Sequence, residues 1–168
     1  MRYTPAALAL SLLVAVTGSV GSARVGEPTD PRARALLDGG RSLLARGDVV
    51  AATDNFEAAL AVDPGNSETY LALGDAARSA GLQGKAIHYY REALARDPNN
   101  LAALSGEGGA MAEKGALDKA RGKLTRLEGL CGRTCAETEQ LASVIAKGPI
   151  AKVVSADAVK PQPEVEAD

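Results

Sequence analysis

A chain of 168 residues with a formal net charge of −2, 46% hydrophobic and 24% charged, has the make-up of one small globular domain, which excludes a disordered polymer and a bundle of membrane spans. Four Tyr, one Phe and no Trp leave the apolar surface to Ala and Leu, the residues of close-packed helices. No run of Lys and Arg stands in the sequence to attract phosphate backbones or acidic membranes, so nucleic acid is not an expected partner.

The first expected element is an address. Arg2 precedes an apolar run over residues 6–16, and the chain then turns small and polar through "TGSVGSA" to Ala23. A charged start, a short apolar middle and a small-residue cleavage site are the parts of a Sec-type secretory signal over residues 1–23, and an ordinary buried helix is the competing reading. The apolar run is short for a bilayer span, and Arg24 follows where a lipid-bearing Cys could stand. This reading expects a bacterial protein that is periplasmic or secreted, with no stable membrane insertion once the signal is removed, and a short linker over 24–32.

The body repeats itself. Residues 33–66 and 67–100 are two windows of 34 residues, closing on "EAALAVDPGN" and "REALARDPNN". In the first, Leu36, Gly40, Leu43, Ala52, Phe56, Ala59 and Pro64 stand at the offsets that Tyr70, Gly74, Ala77, Ala86, Tyr90, Ala93 and Pro98 hold in the second. These residues resemble the tetratricopeptide repeat family, whose helix–turn–helix unit shows the order aromatic, Leu-Gly, aromatic, Ala, Phe, Ala and Pro.

Each station has a physical reason. Gly inside a helix costs about 1 kcal/mol relative to Ala, so Gly40 and Gly74 predict a second helix packed closely on the first, with Ala52 and Ala86 as its small surface. Gly47 and Gly81 fall between the helices, and Asp48, Asn66 and Asn100 are placed to cap the helices that follow them. Phe56 and Tyr90 fill the space between neighbouring units, and Pro64 and Pro98 end them. A unit that leaves an apolar face bare must be covered by the next, which is why the sentence recurs.

A third window, residues 101–134, keeps the period with Leu104, Gly108, Met111, Gly115, Ala120, Leu124 and Leu127, while Glu107 replaces the expected Leu and Gly132 the expected Pro. Terminal repeats drift in this way because one side has no matching neighbour. Thr134 to Glu137 then spells a capping box, and Leu141, Val144 and Ile145 continue at helical spacing, so a seventh helix over 135–146 closes the array. The expected fold is all-α: an α-solenoid of three repeats plus a C-terminal capping helix, spanning 33–146.

Cys131 and Cys135 flank the bend before that helix. A structural disulfide suits an exported chain with an even Cys count. A zinc site lacks ligands, since His88 is the only His and lies far upstream. A redox pair more often reads Cys-x-x-Cys, and two free thiols are the remaining reading. The last stretch, "KGPIAKVVSADAVKPQPEVEAD", has three Pro and no sustained period, and is expected as a flexible tail over 147–168 that could also dock on a partner or on the chain itself.

No phosphate loop, nucleophile triad, cofactor motif or metal cluster stands in the sequence, so no catalytic residue is assigned and no cofactor is expected. The family resemblance instead implies binding, with first helices lining a concave groove that takes a peptide or partner helix. Carried over by position, its lining is Arg34, Leu37, Arg41 and Leu44; then Glu68, Leu71, Asp75 and Arg78; then Ala102, Ser105, Gly109 and Ala112. Leu37, Leu71 and Asp75 depart from the Lys and Asn with which chaperone-binding members clamp a terminal carboxylate, so that ligand is not expected. Two functions follow: a non-catalytic adaptor of the cell envelope whose Arg34, Arg41 and Arg78 hold an acidic-apolar segment of a protein partner, or a thiol-redox accessory factor using Cys131 and Cys135.

Overall fold

The computed structural model describes residues 30–150; the expected signal segment, most of the linker and the tail beyond residue 150 lie outside the described residues. Seven helices and no strand occupy the described residues: α1 (Pro31–Ala45), α2 (Val49–Val62), α3 (Ser67–Ser79), α4 (Gln83–Arg96), α5 (Leu101–Glu113), α6 (Leu117–Cys131) and α7 (Ala136–Lys147). The fold is an all-α helical solenoid. Helix α1 packs on α2, α3 on α4 and α5 on α6, and each pair leans on the next.

The connections show why the sequence folds this way. Gly47, Gly81 and Gly115 each take a positive φ, +82°, +73° and +93°, in the turn between the helices of a pair, a conformation that a side chain disfavours. Asp48 accepts from the Ala51 N–H at 3.2 Å, Asn66 from Glu68 and Thr69 at 2.9 and 3.2 Å, and Asn100 from Ala103 at 2.9 Å. Those three caps are the ones expected. The capping box is not formed: Cys135 is the N-cap of α7 and makes no side-chain cap bond. Thr138, one turn into α7, donates its hydroxyl to the Gly132 carbonyl at 3.0 Å instead, so the bend is closed from the other side.

The close approach at the repeat glycines also differs from the expectation. A Cβ on Gly74 would lie 2.5 Å from Cε1 of Tyr90, and one on Gly40 would collide with the Phe56 ring. The aromatic side chain of the second helix, rather than the surface of Ala52 or Ala86, claims the space left by the missing Cβ. Tyr90 is fully buried and meets a second glycine, because a Cβ on Gly106 would again lie 2.5 Å from its ring. One ring thus spans two repeats, between α3 and α5.

Helix α5 is buried continuously from Ala103 to Ala112. It touches α3, α4, α6 and α7, and its run of Gly, Ala and Ser lets four helices approach a single one. Helix α7 lies on α5 and α6 where the first helix of a fourth pair would stand, and Leu141 is the side chain nearest a Cβ at Gly108. Leu104, Leu127 and Leu141 form the buried cluster that closes this end.

Candidate partner-binding groove

The structure brings together part of the expected groove. Leu71, Asp75 and Arg78 of α3, Ala102 and Ser105 of α5, and Glu137 and Gln140 of α7 line one hollow of about 190 Å³. Arg34 is exposed on α1 and makes no ion pair among the described residues. Leu37 is a correction: it is 2% exposed and packs with Phe56, Ala72 and Leu73, so its side chain is core and cannot reach a partner. Leu44 is half-buried against the same cluster, and Gly109 and Ala112 are buried.

The groove cations are mostly engaged within the chain. Arg41 reaches Glu68 of the next repeat at 3.1 Å and Asp38 at 3.6 Å. Arg78 crosses from the second repeat to the third, where Nη2 lies 2.6 Å and Nε 3.0 Å from Glu113 Oε1. That bond to Glu113 raises the Arg78 pKa further. Its guanidinium lies over Gly109, where a Cβ would come 2.8 Å from Nη2. The third-repeat glycine of the groove is thus the bed of an inter-repeat ion pair, and Arg78 is not free to clamp a partner's carboxylate.

Asp75 lines the same hollow as Arg78. Its carboxylate accepts the Tyr90 hydroxyl at 2.7 Å. Partial withdrawal of the carboxyl from water raises its pKa above the ordinary value, against the opposing pull of the Tyr90 hydrogen bond and of Arg78 and Arg41. Tyr90 is pushed well above the usual phenol range, first by burial and then by the Asp75 charge. Ser105 is 4% exposed and donates to the Glu137 backbone carbonyl at 3.0 Å, so it fastens α7 to α5 at the hollow's edge. Glu137 and Gln140 are the lining residues that sequence reasoning missed. Extending the 34-residue period one step past 134 would have marked α7 as a first helix and hence as groove wall.

The two Cys sulfurs lie at disulfide distance, with Cα atoms 5.9 Å apart. Thr138 Oγ1 sits 3.0 Å from Cys135 Sγ and 3.6 Å from Cys131 Sγ. With Glu137 they form a group of three donors within 4.8 Å of one another, and the described residues add no fourth ligand to that group. A tetrahedral zinc site is therefore incomplete there.

The fold also gathers what the sequence scatters. Arg91 of α4 and Lys119, Lys123 and Arg126 of α6 surround a second hollow of about 570 Å³, floored by Met111, Leu94 and the carboxylate of Glu107. Basic residues spaced four and three apart on α6 face Arg91 only once α4 and α6 pack on either side of α5, so no linear run announced the cluster. Glu107 is fully buried and held by Arg91 Nε at 2.8 Å and by the Lys123 ammonium.

Paired helices of similar length, stacked with glycine turns at a fixed period, define a repeat protein of the helix–turn–helix solenoid class. The chain is a tetratricopeptide repeat protein: models of the tetratricopeptide repeat match residues 67–100 and residues 84–131. Among curated proteins, cellulose synthase operon protein C of Xanthomonas axonopodis pv. citri is 34% identical over 124 residues, 73% of this chain. The match spans 8% of that relative's length. Among solved structures, the first tetratricopeptide repeat domain of Spaghetti (RPAP3) bound to an HSP90 peptide aligns with a TM-score of 0.64 at 20% identity, covering 73% of this chain and 98% of that one. The Yersinia enterocolitica type III secretion chaperone SycD with a peptide of the translocator YopD aligns at 0.63 and 20%, covering 73% and 95%. The Sgt2 domain of Aspergillus fumigatus aligns at 0.63 and 22%, covering 83% and 90%. These likenesses speak to the fold. No helix among the described residues is long and apolar enough to cross a membrane.

Proposed function

We propose that this chain is a non-catalytic adaptor of the bacterial cell envelope, exported to the periplasm or beyond, that holds a peptide or helix of a protein partner in its concave groove. The observation that carries this reading is the hollow in which Leu71, Asp75, Ser105 and Gln140 converge from three successive first-position helices. Polar and charged groups held at fixed places around one larger apolar side chain, Leu71, can orient a bound peptide. Two of the structural neighbours are peptide complexes, which supports a peptide as ligand class. With Arg78 bound to Glu113 and Arg41 to Glu68, the groove is not an arginine clamp for an acidic segment. It presents Arg34 at one end and the carboxylates of Asp75 and Glu137 at the other, which suits a segment carrying both signs of charge around an apolar residue.

The test is capture of the partner by the full chain after Arg34→Glu and Gln140→Arg, two exposed changes that leave the core alone. The adaptor reading expects both to weaken capture at least tenfold, while Lys119→Glu on the opposite face leaves it unchanged. Capture that ignores both groove changes would refute it. The second reading, a thiol-redox accessory factor, rests on the proximity of Cys131 and Cys135. Changing both to Ser separates the two, since an adaptor keeps its partner and a redox factor loses its effect.

A further inference from the structure

We infer that the basic trough between α4 and α6 is a binding site for an acidic extended segment, and that its occupant is residues 163–168 of this chain, "PEVEAD". The site is separate from the concave groove and stands whether or not that groove binds a peptide.

Three hollows form a continuous path from the last described residues to the trough. The Ile150 N–H donates to the Glu113 carbonyl at 3.1 Å, which directs the chain across the end of α5. Pro149 and Ile150 there line a hollow of about 950 Å³ with Leu82, Lys85 and Lys114. This hollow shares Gly84 and Lys114 with the next, of about 500 Å³. The latter in turn shares Arg91, Met111 and Lys119 with the trough.

Charge supplies the complement. Four cations, Arg91, Lys119, Lys123 and Arg126, face one carboxylate in the trough, and that carboxylate, Glu107, is already held by two of them. Lys114 and Lys119 form no ion pair among the described residues. Residues 163–168 carry Glu164, Glu166 and Asp168 and no cation. In an extended segment alternate side chains share a face about 6.6 Å apart, and on α6 Lys119, Lys123 and Arg126 succeed one another at about 5–6 Å, so three carboxylates match three cations in register. Reach is ample: the twelve residues 151–162 span up to about 40 Å when extended, while Lys119 to Arg126 covers about 10 Å of helix. A tether of this length sets a millimolar effective concentration, at which individually weak surface ion pairs hold.

The experiment uses the full chain and compares it with the variant Glu164→Lys, Glu166→Lys, whose changes lie outside the helical body and leave its packing intact. At low ionic strength the amide NMR signals of Lys114, Lys119, Lys123 and Arg126 should shift between the two proteins, independently of protein concentration. A carbodiimide should join Glu164 or Glu166 to Lys119 or Lys123 within the wild-type monomer. That link should fall several-fold in about 1 M salt, where the Debye length is near 3 Å. Shifts confined to the neighbours of residues 164 and 166 would overturn the inference. So would shifts at Arg34 and Arg41, which would put the segment in the concave groove, or links that appear only between copies and vanish on dilution.

Discussion

Tyr90 donates its hydroxyl to Asp75 across 2.7 Å, joining a fully buried aromatic of the solenoid to a carboxylate of the groove. The ring fixes the spacing of α3 and α5, and the hydroxyl fixes the direction of the Asp75 side chain. Tyr90→Phe keeps the packing and removes the bond, so it should cost about 1 kcal/mol of stability in urea unfolding. The sign with pH follows from the raised Tyr90 pKa. The folded state keeps its phenol proton after the unfolded chain begins to lose its own near the ordinary value of 10.0, so stability should decline above that pH in the wild type. Tyr90→Phe should lack that part of the decline, and an identical alkaline profile for both proteins would contradict the assignment.

Asp75 titrates in the same sense. Its pKa is raised by partial withdrawal from water, so its contribution to stability is complete below the ordinary carboxylate value of 3.8 and is lost as pH rises through its folded value. Asp75→Asn keeps an oxygen to accept from Tyr90 and removes the charge. The variant should match wild type at low pH and melt higher at neutral pH.

The glycines of α3 and α6 offer a contrast within one chain. Gly74→Ala drives a methyl against a ring that also lies close on Gly106, and overpacking of this kind costs about 1–3 kcal/mol. Gly129→Ala, in α6 with nothing within 4 Å of the added carbon, should stabilise by about 0.5–1 kcal/mol. Equal effects on chemical unfolding midpoints would show that ring contact does not set the cost.

Glu107 tests the buried charge. Removing both Arg91 and Lys123 as alanines leaves a carboxylate uncompensated in the core and should destabilise by about 3–5 kcal/mol. Adding Glu107→Leu, the residue type this repeat position ordinarily holds, should restore most of the loss. A triple variant no more stable than the double would place the damage in packing rather than charge.

The Cys pair joins the end of α6 to the start of α7. If it is bonded, reductant should accelerate hydrogen exchange over residues 134–146, while residues 70–94 stay protected, because solenoid stability is a sum of neighbouring contacts. Two thiols accessible to alkylation without reductant would remove the disulfide from this account.

The solenoid was legible because its signals are local and periodic: glycine in the turns, Asp48, Asn66 and Asn100 at the caps, and small residues where helices meet. The groove was legible by position but not by state. Leu37 and Arg78 stand at groove offsets, yet Leu37 has a neighbouring core to enter and Arg78 has Glu113 within reach, 35 residues away in sequence. Such pairings are set by how the repeats stack. The basic trough was invisible for the same reason, since its cations sit on two helices separated by a third. Thr134 failed as a cap because α7 begins one residue later, with Cys135 at the N-cap position.

The central claim, that a partner is held in the concave groove, is tested most directly by hydrogen-exchange footprinting of the full chain with the partner it captures. The account predicts slower exchange in α3, α5 and α7 around Leu71, Asp75, Ser105 and Gln140, and loss of that protection with Arg34→Glu and Gln140→Arg. Protection confined to α4 and α6, with those three helices exchanging as they do in the free protein, would contradict it.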